Sequence, residues 1–120
     1  MSTKILIAED DKFLANAYRV KFEKEEFTVL IAYDGEEAIE AVKSFKPDVI
    51  LLDLVMPKMD GFATLEALKK DPATKDIKVI VASNLGQAED VERARKLGAL
   101  DYVVKSDTPI AEIVAKIKSV

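Results

Sequence analysis

Val49-Ile50-Leu51-Leu52-Asp53-Leu54-Val55-Met56-Pro57 decides how the chain is read: an unbroken apolar run delivers a single carboxylate and is followed at once by a proline turn. A short apolar run bounded by turn signals reads as a strand covered on both faces, and such strands belong to parallel sheets with helices on each side. In open sheets of that kind ligands sit off the carboxyl ends of the strands, which is where Asp53 falls.

Working outward, the same pattern recurs. Ile5-Leu6-Ile7-Ala8 reads as a first buried strand, and the carboxylates of Glu9-Asp10-Asp11 end it and can cap a helix from about Lys12 to Lys24. That helix carries Leu14, Ala17, Tyr18, Lys21 and Phe22 near one face, with Lys21 snorkelling outward. Phe27 to Ala32 is a second strand, rich in β-branched residues. Asp34 and Glu37 form a capping box for a helix facing inward through Ala38, Ile39, Val42 and Phe45, which stops at Lys46-Pro47-Asp48. After Asp53, Asp60-Gly61 is read as turn and cap for a helix bearing Phe62, Leu65 and Leu68. Val79 to Ala82 makes strand four, ending in Ser83-Asn84, and a charged helix from about Gln87 to Lys96 stops at Gly98, a C′ glycine. Asp101 to Val104 gives strand five, ending in Lys105. Thr108 as N-cap and Pro109 at the first helical position open the last helix, with Ile110, Ile113, Val114 and Ile117 on one face.

Five strand–helix pairs in strict alternation predict an α/β fold with right-handed crossovers: a flavodoxin-like (βα)5 doubly wound sandwich whose parallel sheet has the order 2-1-3-4-5. At 120 residues the expectation is one domain over 1–120, with no output domain in this chain. The composition, 49% hydrophobic and 33% charged, is that of a globular protein, and no run approaches a membrane span. The start shows no export pattern, so a cytoplasmic location is expected. There is no cysteine and no histidine, which excludes disulfides, thiolate metal sites and imidazole acid–base chemistry within the chain. The net charge of −4 argues against direct nucleic-acid binding.

The residues directly after the apolar runs converge on one rim: Glu9 and Asp10 after strand one, Asp53 after strand three, Ser83 after strand four and Lys105 after strand five. Carboxylates this close repel unless a cation relieves them, and Mg²⁺, which prefers one or two carboxylates with waters and a phosphate, suits a small all-oxygen cluster. With that charge offset, the Asp53 carboxylate can attack phosphorus to give an acyl phosphate, while Lys105 and Ser83 hold the phosphoryl oxygens. Taken singly each residue has an ordinary structural reading: Asp11 and Asp34 as helix caps, Ser83 as a turn residue, Lys105 as a solvated strand end, Tyr102 as a half-buried edge aromatic. Those readings leave the convergence of five such groups on one rim unexplained.

From Lys4 to Ser119 the chain resembles a receiver domain of two-component response regulators, the superfamily that includes chemotaxis regulators. The resemblance rests on Ile5 to Asp11, Asp53-Leu54-Val55-Met56-Pro57 with Asp60-Gly61, Val81-Ala82-Ser83, and Gly98 to Lys105. It implies a phosphorylation-dependent signalling switch in which Asp53 is the phosphoacceptor, with Mg²⁺ held by Asp10, Asp53 and the backbone carbonyl of Val55, and Glu9 acting mainly through water. Ser83 matches the switch hydroxyl, Tyr102 the switch aromatic and Lys105 the phosphate-binding lysine. The implied partners are a histidine kinase or histidine phosphotransfer protein and a downstream effector or output domain reached through the face of helix four, strand five and helix five. The chain is then no enzyme beyond its own phosphoryl transfer and dephosphorylation.

Departures sharpen these expectations. Ser106 follows the lysine where the family usually has a cis-proline, and a non-proline cis bond costs roughly 3 kcal/mol, so a trans bond and a differently shaped loop are expected. Asn84 stands where a small residue is usual and narrows access. Val55 and Leu85 occupy positions that tune hydrolysis and cannot orient an attacking water, which implies a long-lived acyl phosphate. In the winged-helix branch of the family the helix-four to helix-five face carries a charged dimer pattern, whereas here Val91, Leu100 and Ala115 are apolar; an apolar partner surface is expected in place of that dimer, with a homodimer on phosphorylation as the other use of the face. A flavin-binding relative of the fold would need a Ser/Thr/Gly-rich loop where Glu9-Asp10-Asp11 stands, and an aspartate-nucleophile phosphatase would need a second aspartate two residues from the first. The alternative left open is a phosphorylation-independent receiver-like interaction module.

Overall fold

The apolar runs are strands, and the residues between them are helices in strict alternation. A computed structural model describes residues 2–120 and shows β1 (Lys4–Ala8), α1 (Lys12–Lys24), β2 (Thr28–Ala32), α2 (Gly35–Phe45), β3 (Val49–Leu52), α3 (Gly61–Lys70), β4 (Lys78–Ser83), α4 (Ala88–Lys96), β5 (Asp101–Val104) and α5 (Ile110–Lys118). A 3₁₀ turn, Lys105–Asp107, joins β5 to α5. All strand pairs are parallel and the sheet order is β2-β1-β3-β4-β5, as the alternation predicts.

Side chains alternate across the sheet, so the two faces divide the apolar residues between them. Ile5, Ile7, Val49, Leu51, Ile80, Ala82 and Val103 pack under α1 and α5 through Tyr18, Phe22, Ile113, Val114 and Ile117. Leu6, Ala8, Ile50, Leu52 and Val79 pack under α2 and α3 through Ala38, Val42, Leu65 and Leu68. Both faces are covered, which is why β1 and β3 read as continuous apolar runs instead of alternating ones. A smaller cluster of Leu54, Phe62, Val81 and Ala94 lies beneath α4.

The caps follow the sequence in most places. Asp11 accepts from the N–H groups of Phe13 and Leu14, Asp34 from Glu37 and Asp60 from Ala63. Gly98, at φ +107, terminates α4 as expected. Three readings need correction. The inward stripe of α1 runs through Ala15, Tyr18 and Phe22, and Ala17 is exposed. The capping box at α2 forms only its Asp34 half. Thr108 is not the N-cap of the last helix: Pro109 occupies that place in an extended conformation (φ −60, ψ 150), and α5 starts one residue later at Ile110. Proline's fixed φ suits either position, so only ψ separates them, and ψ is set by the path of the preceding turn.

Candidate functional site

Register sets the site. Ala8 pairs with both Ala32 and Leu52, and the ladder extends one bond further on each side: Glu9 N–H donates to Ala32 O (3.0 Å) and Asp53 N–H to Ala8 O (3.0 Å). The two acids therefore leave the sheet at the same level. Both are almost fully buried, at 2% and 5% exposure, while Asp10 is open to solvent. Carboxylate oxygens of Glu9, Asp10 and Asp53 lie within 4.8 Å of one another.

Lys105 reaches this group from the far edge of the sheet. Ser83 pairs with Val104, so the residue after β5 leaves the sheet alongside the others. Its Nζ donates to Glu9 Oε1 (2.7 Å) and Asp53 Oδ2 (3.2 Å), and its side chain is only 11% exposed. The solvated-strand-end reading of Lys105 is thereby excluded. Burial drives the Glu9 carboxyl up to about 7, against the opposing pull of the Lys105 hydrogen bond and the Asp11 N–H, with the Asp53 charge adding to the rise. Burial works to lower the Lys105 pKa, but the hydrogen bond to Glu9 and the charges of Asp53 and Glu9 outweigh it, and the net shift is upward. The lysine is a firmly held cation between two carboxyl groups.

Glu9, Asp10, Asp11, Asp53, Val55, Ser83, Asn84, Leu85 and Lys105 line one open cleft. The donor set is entirely oxygen, two acids are withdrawn from water and one is open to it, which suits a hard divalent cation that keeps some of its waters. Val55 is 60% exposed at the mouth, and its N–H lies 3.4 Å from Asp53 Oδ1. Ser83 is fully buried, and its Oγ accepts from Leu85 N–H (3.2 Å); a hydroxyl that accepts still has its own proton to donate. Tyr102, half-buried on the edge strand β5, donates its hydroxyl to the carbonyl of Leu85. Burial and the charge of Asp90 raise the Tyr102 pKa, so the phenol keeps its proton as a donor.

Glu9, Asp10, Asp53, Val55, Ser83 and Lys105 thus share this cleft, with Tyr102 beside it. Missing from the sequence reading are its cross-links. Asn84 and Ser106 stand there as separate departures, whereas the structure joins them: Ser106 N–H donates to Asn84 Oδ1 at 3.1 Å. The Lys105–Ser106 bond is trans, as expected, and the loop closes as the 3₁₀ turn. Also missed is the fit of the β3–α3 loop against α2, where a Cβ on Gly35 would stand 2.2 Å from Met59 O. A glycine at the first position of a helix is the one signal that was available.

Several known proteins are similar to this chain. The probable transcriptional regulator ycf27 of Guillardia theta is 35% identical over 117 residues, covering 98% of this chain and 44% of that protein. The phosphate regulon transcriptional regulatory protein PhoB of Escherichia coli is 33% identical over 120 residues, covering 100% and 52%. This chain spans about half the length of the curated relatives it matches. The solved receiver domain of Francisella response regulator 1452 superposes with a TM-score of 0.91 at 32% identity, covering 98% of this chain and 95% of that one. The family model of the response regulator receiver domain matches residues 5–118. With the acidic pair, the strand-three aspartate and the strand-five lysine meeting on one rim, the chain belongs to the response regulator receiver domain family.

Proposed function

We propose that this domain is a phosphorylation-dependent signalling switch whose phosphoacceptor is Asp53. The observation that carries the reading is the bifurcated contact of Lys105 with Glu9 and Asp53, which brings the ends of β1, β3 and β5 to one point. An Asp53 oxygen attacks the phosphorus of a phosphohistidine on a histidine kinase or phosphotransfer partner. The P–N bond breaks, its electron pair stays on the imidazole nitrogen, and that nitrogen takes a proton from solvent. The product is an acyl phosphate on Asp53.

The chain's own groups hold the new charge. Lys105 transfers its N–H bonds from the two carboxylates to phosphoryl oxygens, and Ser83 donates its hydroxyl proton to another. Mg²⁺, held by Asp10, Asp53 and the Val55 carbonyl with Glu9 behind, would neutralise charge between the carboxylates and the phosphoryl group. To reach that group Ser83 gives up Leu85 N–H, and the adjoining loop moves with it. Tyr102, bonded to the carbonyl of Leu85, is drawn into the same change. A phosphoryl group biases such an equilibrium only by its differential affinity for the two arrangements.

The output face is then α4, β5 and α5, where Leu100 is 54% exposed, Ala115 is exposed and Val91 half-buried. A downstream effector or output domain binds there in this reading, and the domain works in the cytoplasm. Among the described residues no helix is long and apolar enough to cross a membrane. Incubation with acetyl phosphate tests the proposal: labelling that requires Mg²⁺ and is lost in Asp53→Asn supports it, and equal labelling of the variant overturns it.

A further inference from the structure

The loop after β4 is held by almost nothing but hydrogen bonds. Residues 84–89 are all exposed, and even a Cβ added to Gly86 would meet nothing nearer than Val104 at 3.6 Å. Three bonds fix this loop: Leu85 N–H to Ser83 Oγ, the Tyr102 hydroxyl to Leu85 O, and Ser106 N–H to Asn84 Oδ1. The third differs in kind, because it ties the loop to the turn that carries Lys105 across 22 positions of sequence.

Its chemistry is determined at both ends. The first N–H groups of a helical turn have no partner within the turn, and Ser106 lies in the first turn of the 3₁₀ segment Lys105–Asp107. Only the carbonyl end of an amide can accept from that N–H, so the Asn84 side chain has one orientation here and caps the turn from another loop. Asn84 is the immediate neighbour of Ser83, and Ser106 of Lys105. The bond thus couples the two residues whose side chains must converge on a phosphoryl group.

We propose that Asn84 and Ser106 form a latch that holds the β4–α4 loop in the unphosphorylated arrangement, and that the latch opens when Ser83 moves towards Asp53. The second half rests on the phosphoacceptor reading; the first does not. Both are positioning residues, acting through Ser83 and Lys105. In the latched state the Ser106 N–H is protected from exchange with water, and the loop cannot shift without breaking a bond worth about a fivefold change in equilibrium.

The test has two arms on the whole chain. By NMR, Asn84→Ala exposes the Ser106 amide and speeds its hydrogen exchange about fivefold; unchanged exchange overturns the latch. With acetyl phosphate and Mg²⁺, Asn84→Ala and the replacement of the Lys105–Ser106 amide by an ester each accelerate labelling by a similar factor, and the double variant is no faster than either single one. An ester in place of the Lys105–Ser106 amide removes the donor while leaving the Asn84 side chain in place and imposing no proline geometry on Lys105, which separates an opened latch from a merely widened cleft. Acceleration by Asn84→Ala alone, multiplicative effects in the double variant, or faster exchange without faster labelling would each overturn the coupling. Absence of labelling in every form, wild type included, would count against the phosphoacceptor reading, while the exchange arm would still decide whether the latch exists.

Discussion

Two loops frame Asp53, and they are built in opposite ways. The β3–α3 loop is wedged into the fold. Leu54 and Met56 are buried, Gly61 N–H closes the loop onto Leu54 O (2.9 Å), Asp60 caps α3, and Lys58 takes a left-handed conformation (φ 67) with its ammonium 3.7 Å from Asp34. At Gly61 a Cβ would lie 2.2 Å from Asp53 O, and at Gly35 one would lie 2.2 Å from Met59 O and 2.3 Å from Thr64 Oγ1. The β4–α4 loop has no such packing and hangs on three hydrogen bonds. Tight packing thus lies behind Asp53 and loose packing beside it. The proposed switch calls for that division, because an acceptor must be pre-positioned whereas a reporter must be able to move.

Substitutions at the glycines probe this contrast hardest. Gly61→Ala drives a methyl group into the Asp53 backbone, where nothing can yield, and is expected to cost roughly 3 kcal/mol by chemical denaturation. Because the displaced atom belongs to Asp53, labelling by acetyl phosphate should fall as well. Gly35→Ala meets Met59 O, Met59 Cβ and the buried Thr64 hydroxyl that donates to Asp60 O, so a loss of about 2–3 kcal/mol is expected from the same measurement. A cost below about 0.5 kcal/mol at Gly61 would show that the β3–α3 loop is soft and would remove the distinction between the two loops.

Smaller effects belong to the other loop. Tyr102→Phe deletes the hydroxyl that holds Leu85 O and should cost about 1 kcal/mol or less in global stability, yet raise amide exchange throughout residues 84–87. A uniform change across the domain would mean that this loop is no softer than its neighbour. Gly86→Ala reverses the sign. Gly86 has room for a methyl group and is not among the positive-φ glycines, so alanine lowers the entropy of the unfolded chain and should stabilise by about 0.5 kcal/mol. A glycine tolerant of alanine on one side of Asp53 and one intolerant of it on the other is the contrast in its simplest form.

Much of this architecture is legible in the sequence because it rests on local signals. Buried strands announce themselves as apolar runs, Asp11, Asp34 and Asp60 cap the helices next to them, and Gly98 ends α4. Strand order then places Glu9, Asp53, Ser83 and Lys105 on one rim without knowledge of any side chain. Harder to read are the features set by contacts distant in sequence. The choice between Ala15 and Ala17 as the inward residue of α1 depends on the angle at which the helix meets the sheet. Lys105 reads alone as a solvated strand end, and its withdrawal from water shows only where it meets Glu9, 96 positions away, and Asp53. Asn84 and Ser106 each look like a lost family feature, and their hydrogen bond exists only in three dimensions.

The proposed switch stands or falls on Asp53, and no neighbouring acid, accepting the phosphoryl group, although Glu9 and Asp10 lie within 4.8 Å of it. Treatment of the acetyl-phosphate-labelled protein with borohydride reduces an acyl phosphate to an alcohol at the modified residue, and peptide mass spectrometry then locates it. Reduction at position 53 alone, dependent on Mg²⁺ during labelling, is the expected outcome. Reduction at Glu9 or Asp10, or a stable label that borohydride does not touch, would contradict it.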